Sequence, residues 1–256
     1  MFQPAGEELA PTDLARGPWD AGAQHGGAPA ALIARALERC DGAAGFHIAR
    51  LGVEFVRPVP LSPLLVETEV VRPGRRVQLV AATVLAEGVE VCRASALRIR
   101  RTPSPIVAAT APEPPPPGPE AGRDAPAPMS GLERSFVGEA MEKRFVSGDY
   151  ALGPAIVWMR LRHPLVAGEE PSPLQRVAAT ADFGNGVSAE LDWDDNVFIN
   201  PDLTLHLERE AEGEWICLEA RTRLQSTGTG TAESVLHDRR GRVGRAVQSL
   251  YVARRS

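Results

Sequence analysis

Three polar residues fall where the local pattern calls for apolar or uncharged ones, and together they form a carboxylate and two carboxamides. In the stretch Pro173 to Asp182, Leu174, Val177, Ala178 and Ala181 stand at i, i+3, i+4 and i+7, the buried stripe of a helix opened by Ser172-Pro173. Asp182 follows at i+8, beside the stripe and near the helix C-terminus, where the macrodipole disfavours a negative charge and Gly184-Asn185-Gly186 ends the element. A carboxylate so placed is either exposed by fraying of the last turn or held in a pocket as a base, and the helical pattern leaves both open. Gln248 shares one face of the last strand with Ala246, Leu250 and Val252, where burial without a partner would cost about 1–3 kcal/mol. Its approximate counterpart in the first half is Ser95, so the amide is not a requirement of the pattern; an edge-exposed glutamine at a strand kink is the alternative. Asn200 precedes Pro201, which forces it into an extended conformation at the mouth of the strand that follows, although Asx-Pro also opens ordinary turns.

The elements that position these residues occur twice. A helical stretch at His25 to Leu37 leads into alternating runs at Leu51 to Arg57, Leu64 to Val71, Arg76 to Leu85 and Val89 to Ile99. A second helical stretch, Pro173 to Asp182, leads into runs at Val197 to Leu207, Trp215 to Leu224, Thr229 to Leu236 and Arg242 to Val252. The repeat is far longer than the roughly 20–50 residues of a solenoid unit, and indicates duplication of a whole small domain. Gly74, Gly88, Gly213, Gly228 and Gly241 fall between runs, where hairpins call for positive φ, so each half reads as α+β: an antiparallel sheet wrapped around one helix. Residues 1–102 form the first unit and 129–256 the second. Between them, 103–128 carries ten prolines among Ala, Gly and Glu and reads as a semi-rigid tether.

Composition narrows the partners. The chain has 256 residues, 43% hydrophobic and 24% charged, with a net charge of -5 and both signs dispersed, which argues against nucleic acid. Cys40, Cys92 and Cys217 are far apart and lack metal-ligand spacing, so they read as buried hydrophobes in a reducing compartment rather than as a disulfide or zinc site. Met1 to Glu8 lacks the basic start and apolar core of a signal peptide, and no apolar run reaches the roughly 18 residues of a membrane span. A soluble cytoplasmic protein is expected.

The duplicated unit, Ala181-Asp182-Phe183 on the second helix, Asn200-Pro201-Asp202-Leu203-Thr204, Gly213-Glu214-Trp215 and Gln248 in the terminal strand together resemble the acyl-CoA thioesterase II type, the double hotdog family. The resemblance covers nearly the whole chain except the proline-rich segment. It implies a double hotdog whose two sheets join into one larger antiparallel assembly, with the acyl chain buried between helix and sheet and the CoA portion near the surface. It implies acyl-CoA as substrate, no metal or organic cofactor, and a site in which an aspartate, a serine or threonine, and a glutamine orient the attacking water. Carried over, the aspartate is Asp182 and the glutamine Gln248, while the hydroxyl position falls on Asn200, a departure from the family pattern.

Those residue types suit thioester hydrolysis, which needs a water activated by a carboxylate and donors where charge develops on the carbonyl oxygen. Asp182 is the expected base, with Gln248 and Asn200 positioning the water. By analogy with other hotdog enzymes, backbone N–H groups around His25-Gly26-Gly27 are a candidate oxyanion site, the alternative being glycines that merely let the helix start pack on the sheet. His25 is structural or lines the substrate. No Gly-x-Ser-x-Gly elbow is present, and the position five after Asp182, where a hydratase of the MaoC group would carry histidine, is Val187. The remaining alternative is a catalytically weak hotdog that binds an acyl thioester, favoured by Asn200 in place of a hydroxyl. Further dimerisation is compatible with either.

Overall fold

Strict alternation builds the sheet of the first half. In the run Val77–Ala86 every second residue is buried, so one face meets the core while the other meets solvent. The computed structural model describes residues 1–102, 113–150 and 153–255. Its first half comprises β1 (Phe2–Ala5), β2 (Glu8–Pro11), α1 (Gly27–Arg39), β3 (Phe46–Phe55), β4 (Leu64–Arg72), β5 (Val77–Ala86) and β6 (Val89–Arg100). The second comprises β7 (Met141–Ser147), β8 (Ala155–Leu161), α2 (Pro173–Ala181), α3 (Gly184–Val187), β9 (Asn196–Ile199), β10 (Asp202–Leu207), β11 (Ile216–Leu224), β12 (Thr229–Asp238) and β13 (Gly241–Arg254).

Among the described residues the strands form one antiparallel sheet in the order β1-β2-β4-β5-β6-β3-β10-β13-β12-β11-β8-β7, with β9 paired to the end of β13. The two halves meet at β3 and β10, from Asp202 opposite Glu54 to His206 opposite Arg50. That junction is the sheet fusion expected of a double hotdog. On the covered face α1 packs against α2, and side chains from both halves share one core that includes Leu32, Ile33, Leu37, Leu51, Val177, Leu203 and Leu205. The helices cross closely because Gly27 has no side chain, since a Cβ there would lie 2.5 Å from the Ala179 carbonyl oxygen.

Several sequence expectations need correction. The run Val197 to Leu207 is two strands, because Pro201 has no N–H for a ladder: both pieces pair with β13, Ile199 opposite Tyr251 and Thr204 opposite Val247, but only the second also pairs with β3. Four strands, β1, β2, β7 and β8, carry no counterpart in the alternating pattern. In β8, Trp158 is fully buried although its neighbours Val157 and Met159 are buried too, because residues outside the sheet cover it. Gly88 turns a hairpin with φ +75°, but Gly74 does not take positive φ, and a Cβ there would collide with the Val77 carbonyl oxygen at 2.2 Å.

Of the proline-rich segment, 103–112 lies outside the described residues. The remainder runs against the second half: the Trp158 indole donates to the Pro117 carbonyl at 2.7 Å, and Arg123 exchanges backbone hydrogen bonds with Phe145 at 2.9 and 2.8 Å. Packing of this strap explains why β8 reads as a continuous apolar run rather than an alternating one.

Glu169 clamps the two helical regions by accepting from Arg35 Nε and Nη2, at 2.7 and 2.6 Å, and from Arg39 Nη2 at 2.6 Å. These guanidiniums, Arg35 first, hold its carboxyl down at about 2. A depressed folded-state value stabilises above the unfolded value near 4.5, and the contribution is lost as pH falls from there through about 2. Glu169→Gln is expected to lower stability by about 1 kcal/mol at neutral pH. Urea titrations should show the two proteins converging in stability between those pH values.

Candidate functional site

Asp182 caps the C-terminus of α2, yet it is only 4% exposed and does not fray. Its carboxylate is held on three sides. The Asn200 carboxamide donates to Oδ1 at 2.8 Å, and Gln248 Nε2 donates to the same oxygen at 3.2 Å and to the Asp182 carbonyl at 3.2 Å. His25 Nδ1 lies 3.1 Å from Oδ2. The unfavourable end of α2 is offset by the favourable end of another helix: the carboxylate lies over Gly26, the N-cap of α1, where a Cβ would sit 2.7 Å from Oδ2 and 3.0 Å from Oδ1. Glycine at 26 is therefore a requirement of close approach.

Of the two openings the helical pattern leaves for Asp182, the structure takes the pocket. It brings together every residue expected at the site: Asp182, Asn200 and Gln248 with His25, Gly26 and Gly27. Gln248 is 1% exposed, on the face shared with Ala246 and Leu250, and its oxygen accepts from the Asn185 N–H at 3.0 Å. Both ends of the amide are thus satisfied. Asn200 also donates to the Asp202 carbonyl at 3.1 Å, which fixes its side chain at the strand mouth. Gly27 N–H donates to His25 Nδ1 at 3.0 Å, so this N–H and Asp182 Oδ2 compete for one ring nitrogen. The His25 ring is sandwiched by Phe136 and Phe183, with centroids 4.8 and 4.5 Å away.

Two readings of neighbouring residues change. Gly184-Asn185-Gly186 does not stop the helix; it forms a further turn, α3, and neither glycine takes positive φ. Gly184 is needed because a Cβ would lie 2.9 Å from the Gln248 oxygen and 3.0 Å from the Ser234 hydroxyl. Asn185, read from the sequence only as part of a helix stop, orients Gln248 through its backbone and donates its own side chain to the Phe198 carbonyl at 3.2 Å. Its position between two glycines is the signal that could have found it. Ser95, the approximate counterpart of Gln248, alternates with the buried Ala94 and Ala96 and so faces away from the helix. The first-half residue that reaches a helix C-terminus is instead Arg98, buried and donating to the Leu37, Cys40 and Asp41 carbonyls.

Asp182, Asn200, His25 and Gly26 open onto a cavity of about 350 Å³ lined also by Phe55, Phe183 and Trp193. Arg57, Pro58 and Tyr251 are exposed at its mouth. Burial pushes the Cys92 thiol up to about 12, with the Asp182 carboxylate adding to the effect, so this sulfur stays protonated and offers no rival nucleophile. The site can hold a water or hydroxyl against a fixed carboxylate beside the N-terminus of a helix and an apolar chamber.

Comparison with known proteins gives the same assignment for both halves. A family model described as the acyl-CoA thioesterase N-terminal domain matches residues 15–99, and one described as the acyl-CoA thioesterase C-terminal domain matches residues 110–252. No curated protein matches the chain by sequence. Among solved structures, a protein from Thermobifida fusca YX, provisionally assigned as a thioesterase II, superposes with a TM-score of 0.75 at 21% identity, covering 99% of this chain and 96% of that one. A hot dog fold protein of unknown function from Alicyclobacillus acidocaldarius gives 0.74 at 19% identity over 100% and 97%. An acyl-CoA thioesterase II from Mycobacterium marinum gives 0.65 at 16% over 92% and 91%. At these identities the structural likenesses establish the double hotdog fold, while the family models carry the assignment of the chain.

Proposed function

The chain belongs to the acyl-CoA thioesterase family, a family of thioester hydrolases, and on that premise we propose that Asp182 is the general base that activates water against a bound acyl-CoA. One observation carries this reading: a buried carboxylate fixed by two carboxamides opens onto an apolar cavity of about 350 Å³ at a helix N-terminus. Water gives its proton to Asp182 as its oxygen bonds to the thioester carbon. The tetrahedral intermediate then expels the CoA sulfur, and the proton passes from Asp182 to the departing thiolate, leaving the free acid and the thiol. Gly26 N–H, which finds no acceptor among the described residues, and Gly27 N–H, when His25 Nδ1 donates to Asp182 instead, are the donors for the developing oxyanion.

Asn200 and Gln248 act in this account as positioning residues. Both amides point their N–H groups at Oδ1, while Oδ2 has His25 Nδ1 beside it at 3.1 Å and is, in this reading, the oxygen that takes the proton of the water. Asn200 thus fills the hydroxyl's place by holding the base as well as by lining the cavity. The acyl chain enters the apolar chamber, and CoA remains at the mouth near Arg57 and Tyr251. Residues 1–102 and 129–256 are read as the two hotdog units, with 103–128 as their connection.

Thiol release from acyl-CoAs tests the proposal. Gln248→Ala is expected to lower kcat by about 10–100-fold while leaving KM within about threefold, because the variant loosens the base and not the cavity wall. Acyl-CoA binding by the wild-type protein without thiol release would overturn hydrolysis in favour of a binding role.

A further inference from the structure

His25 brings a side-chain donor to the chamber beside Asp182. Its backbone is fixed, the N–H on the Ala15 carbonyl at 2.9 Å and the carbonyl accepting from Ala28 at 3.0 Å, and its ring packs against Phe136 and Phe183. Nδ1 accepts from Gly27 N–H at 3.0 Å. A backbone N–H can only donate, so the lone pair of Nδ1 is in use and that nitrogen carries no proton. The ring is therefore neutral, with its proton on Nε2. Nε2–H has no acceptor among the described residues, yet it is accessible rather than enclosed, and the space that this side chain, 9% exposed, borders is the chamber.

The surroundings suit an electrophile. Gly27 is the first residue of α1, so the positive end of a helix holds Nδ1, an arrangement that keeps an imidazole neutral and lets it polarise a carbonyl through its other nitrogen. One ring carbon separates the two nitrogens, and Asp182 Oδ2 lies 3.1 Å from Nδ1. Donor and base are thus close enough for one thioester group and its attacking water to meet both. Resting on the thioesterase reading above, we propose that His25 is a catalytic residue that donates from Nε2 to the thioester carbonyl oxygen and to the oxyanion formed there. The ring transfers no proton. As the water oxygen bonds to the carbonyl carbon, the water gives its proton to Asp182 and the carbonyl π pair moves onto the oxygen facing Nε2–H. That pair returns to the carbon as the carbon–sulfur bond breaks. Gly27 N–H stays on Nδ1 in this arrangement, and His25 takes the place of that backbone donor as the companion of Gly26 N–H.

Three measurements test the assignment. In ¹⁵N spectra of histidine-labelled protein at neutral pH, one of the five histidines should show a protonated Nε2 and a bare Nδ1, and its signal should be absent from His25→Gln. A proton on His25 Nδ1 would overturn the proposal, since Gly27 N–H would then be free for the oxyanion. Infrared spectra of an acyl-CoA with ¹³C at its thioester carbonyl are compared in Asp182→Asn and in the same protein carrying His25→Phe as well. The carbonyl stretch of the bound ligand should lie lower in the first; equal frequencies with ligand bound to both would remove the donor and leave hydrolysis standing. Thiol release by His25→Phe should fall by about 10²–10³-fold in kcat with KM within about threefold, the loss typical of one oxyanion donor. His25→Gln, whose amide still donates, should recover at least about tenfold of that loss, whereas a packing role for the ring would favour phenylalanine and overturn the assignment. A lowered carbonyl frequency without thiol release from the wild-type chain would keep the donor and remove hydrolysis.

Discussion

Asp182→Asn is expected to lower kcat for acyl-CoA hydrolysis by about a thousandfold with the fold intact, in line with the roughly 10²–10⁴ contributed by a positioned general base. The geometry explains why the variant should survive. The oxygen of the introduced carboxamide can take the place of Oδ1 and accept from Asn200 and Gln248, as the carboxylate does at 2.8 and 3.2 Å. Its nitrogen then replaces Oδ2 and donates to His25 Nδ1, which lies 3.1 Å away. Asn200 and Gln248 keep their acceptor, and the introduced nitrogen shares the His25 Nδ1 lone pair with Gly27 N–H, so the main loss is the proton acceptor. Single-turnover thiol release separates this from a binding defect: acyl-CoA affinity should stay within about threefold while the chemical step collapses. A fall of less than about tenfold would remove Asp182 from the base role.

The largest expected effect on stability lies at the other end of the helix pair. Arg98 is 1% exposed and faces no carboxylate among the described residues; its guanidinium donates to the Leu37, Cys40 and Asp41 carbonyls and to Gln78 Oε1. The carbonyl end of α1 serves as its counter-charge. Arg98→Met retains the packing of the stem but leaves these carbonyls unpaired in the core, at a cost of about 3 kcal/mol. For a chain of this size the melting temperature should fall by roughly 6–12 °C, measurable by calorimetry. A loss under about 1 kcal/mol would mean that water reaches those carbonyls and that Arg98 is not their cap.

Arg98 and Gln248 also show how the duplicated halves diverged. Each side chain rises from a terminal strand of its half to a helix C-terminus, but one meets only carbonyls and the other meets a carboxylate. The first is a structural cap. The second, with Asn200 opposite, makes a reactive group out of the same kind of helix end.

The outline of this site was legible because period-two and period-3.6 patterns report burial directly. Gln248 stood out as an amide on an apolar strand face, and its burial follows from that alternation. Asp182 stood out against the dipole of its own helix; what local sequence could not convey was that the N-terminus of α1, far earlier in the chain, supplies the compensating positive end. The role of Asn185 went unread because glycines on both sides imitate a helix stop, whereas the real constraint is the close approach of Gly184 to Gln248. In the same way β8 lacked alternation because the strap from Glu113 onward covers the outer face, a contact between distant segments that no window of sequence contains.

The most direct test of the central claim is hydrolysis itself, followed in ¹⁸O-labelled water by measuring thiol release and the isotope content of the acid from an acyl-CoA panel with the wild-type chain. Activation of water by Asp182 predicts equal amounts of thiol and acid, with one labelled oxygen in each acid formed. Acyl-CoA that binds in the cavity without yielding either product, under conditions where the protein is folded, would contradict it.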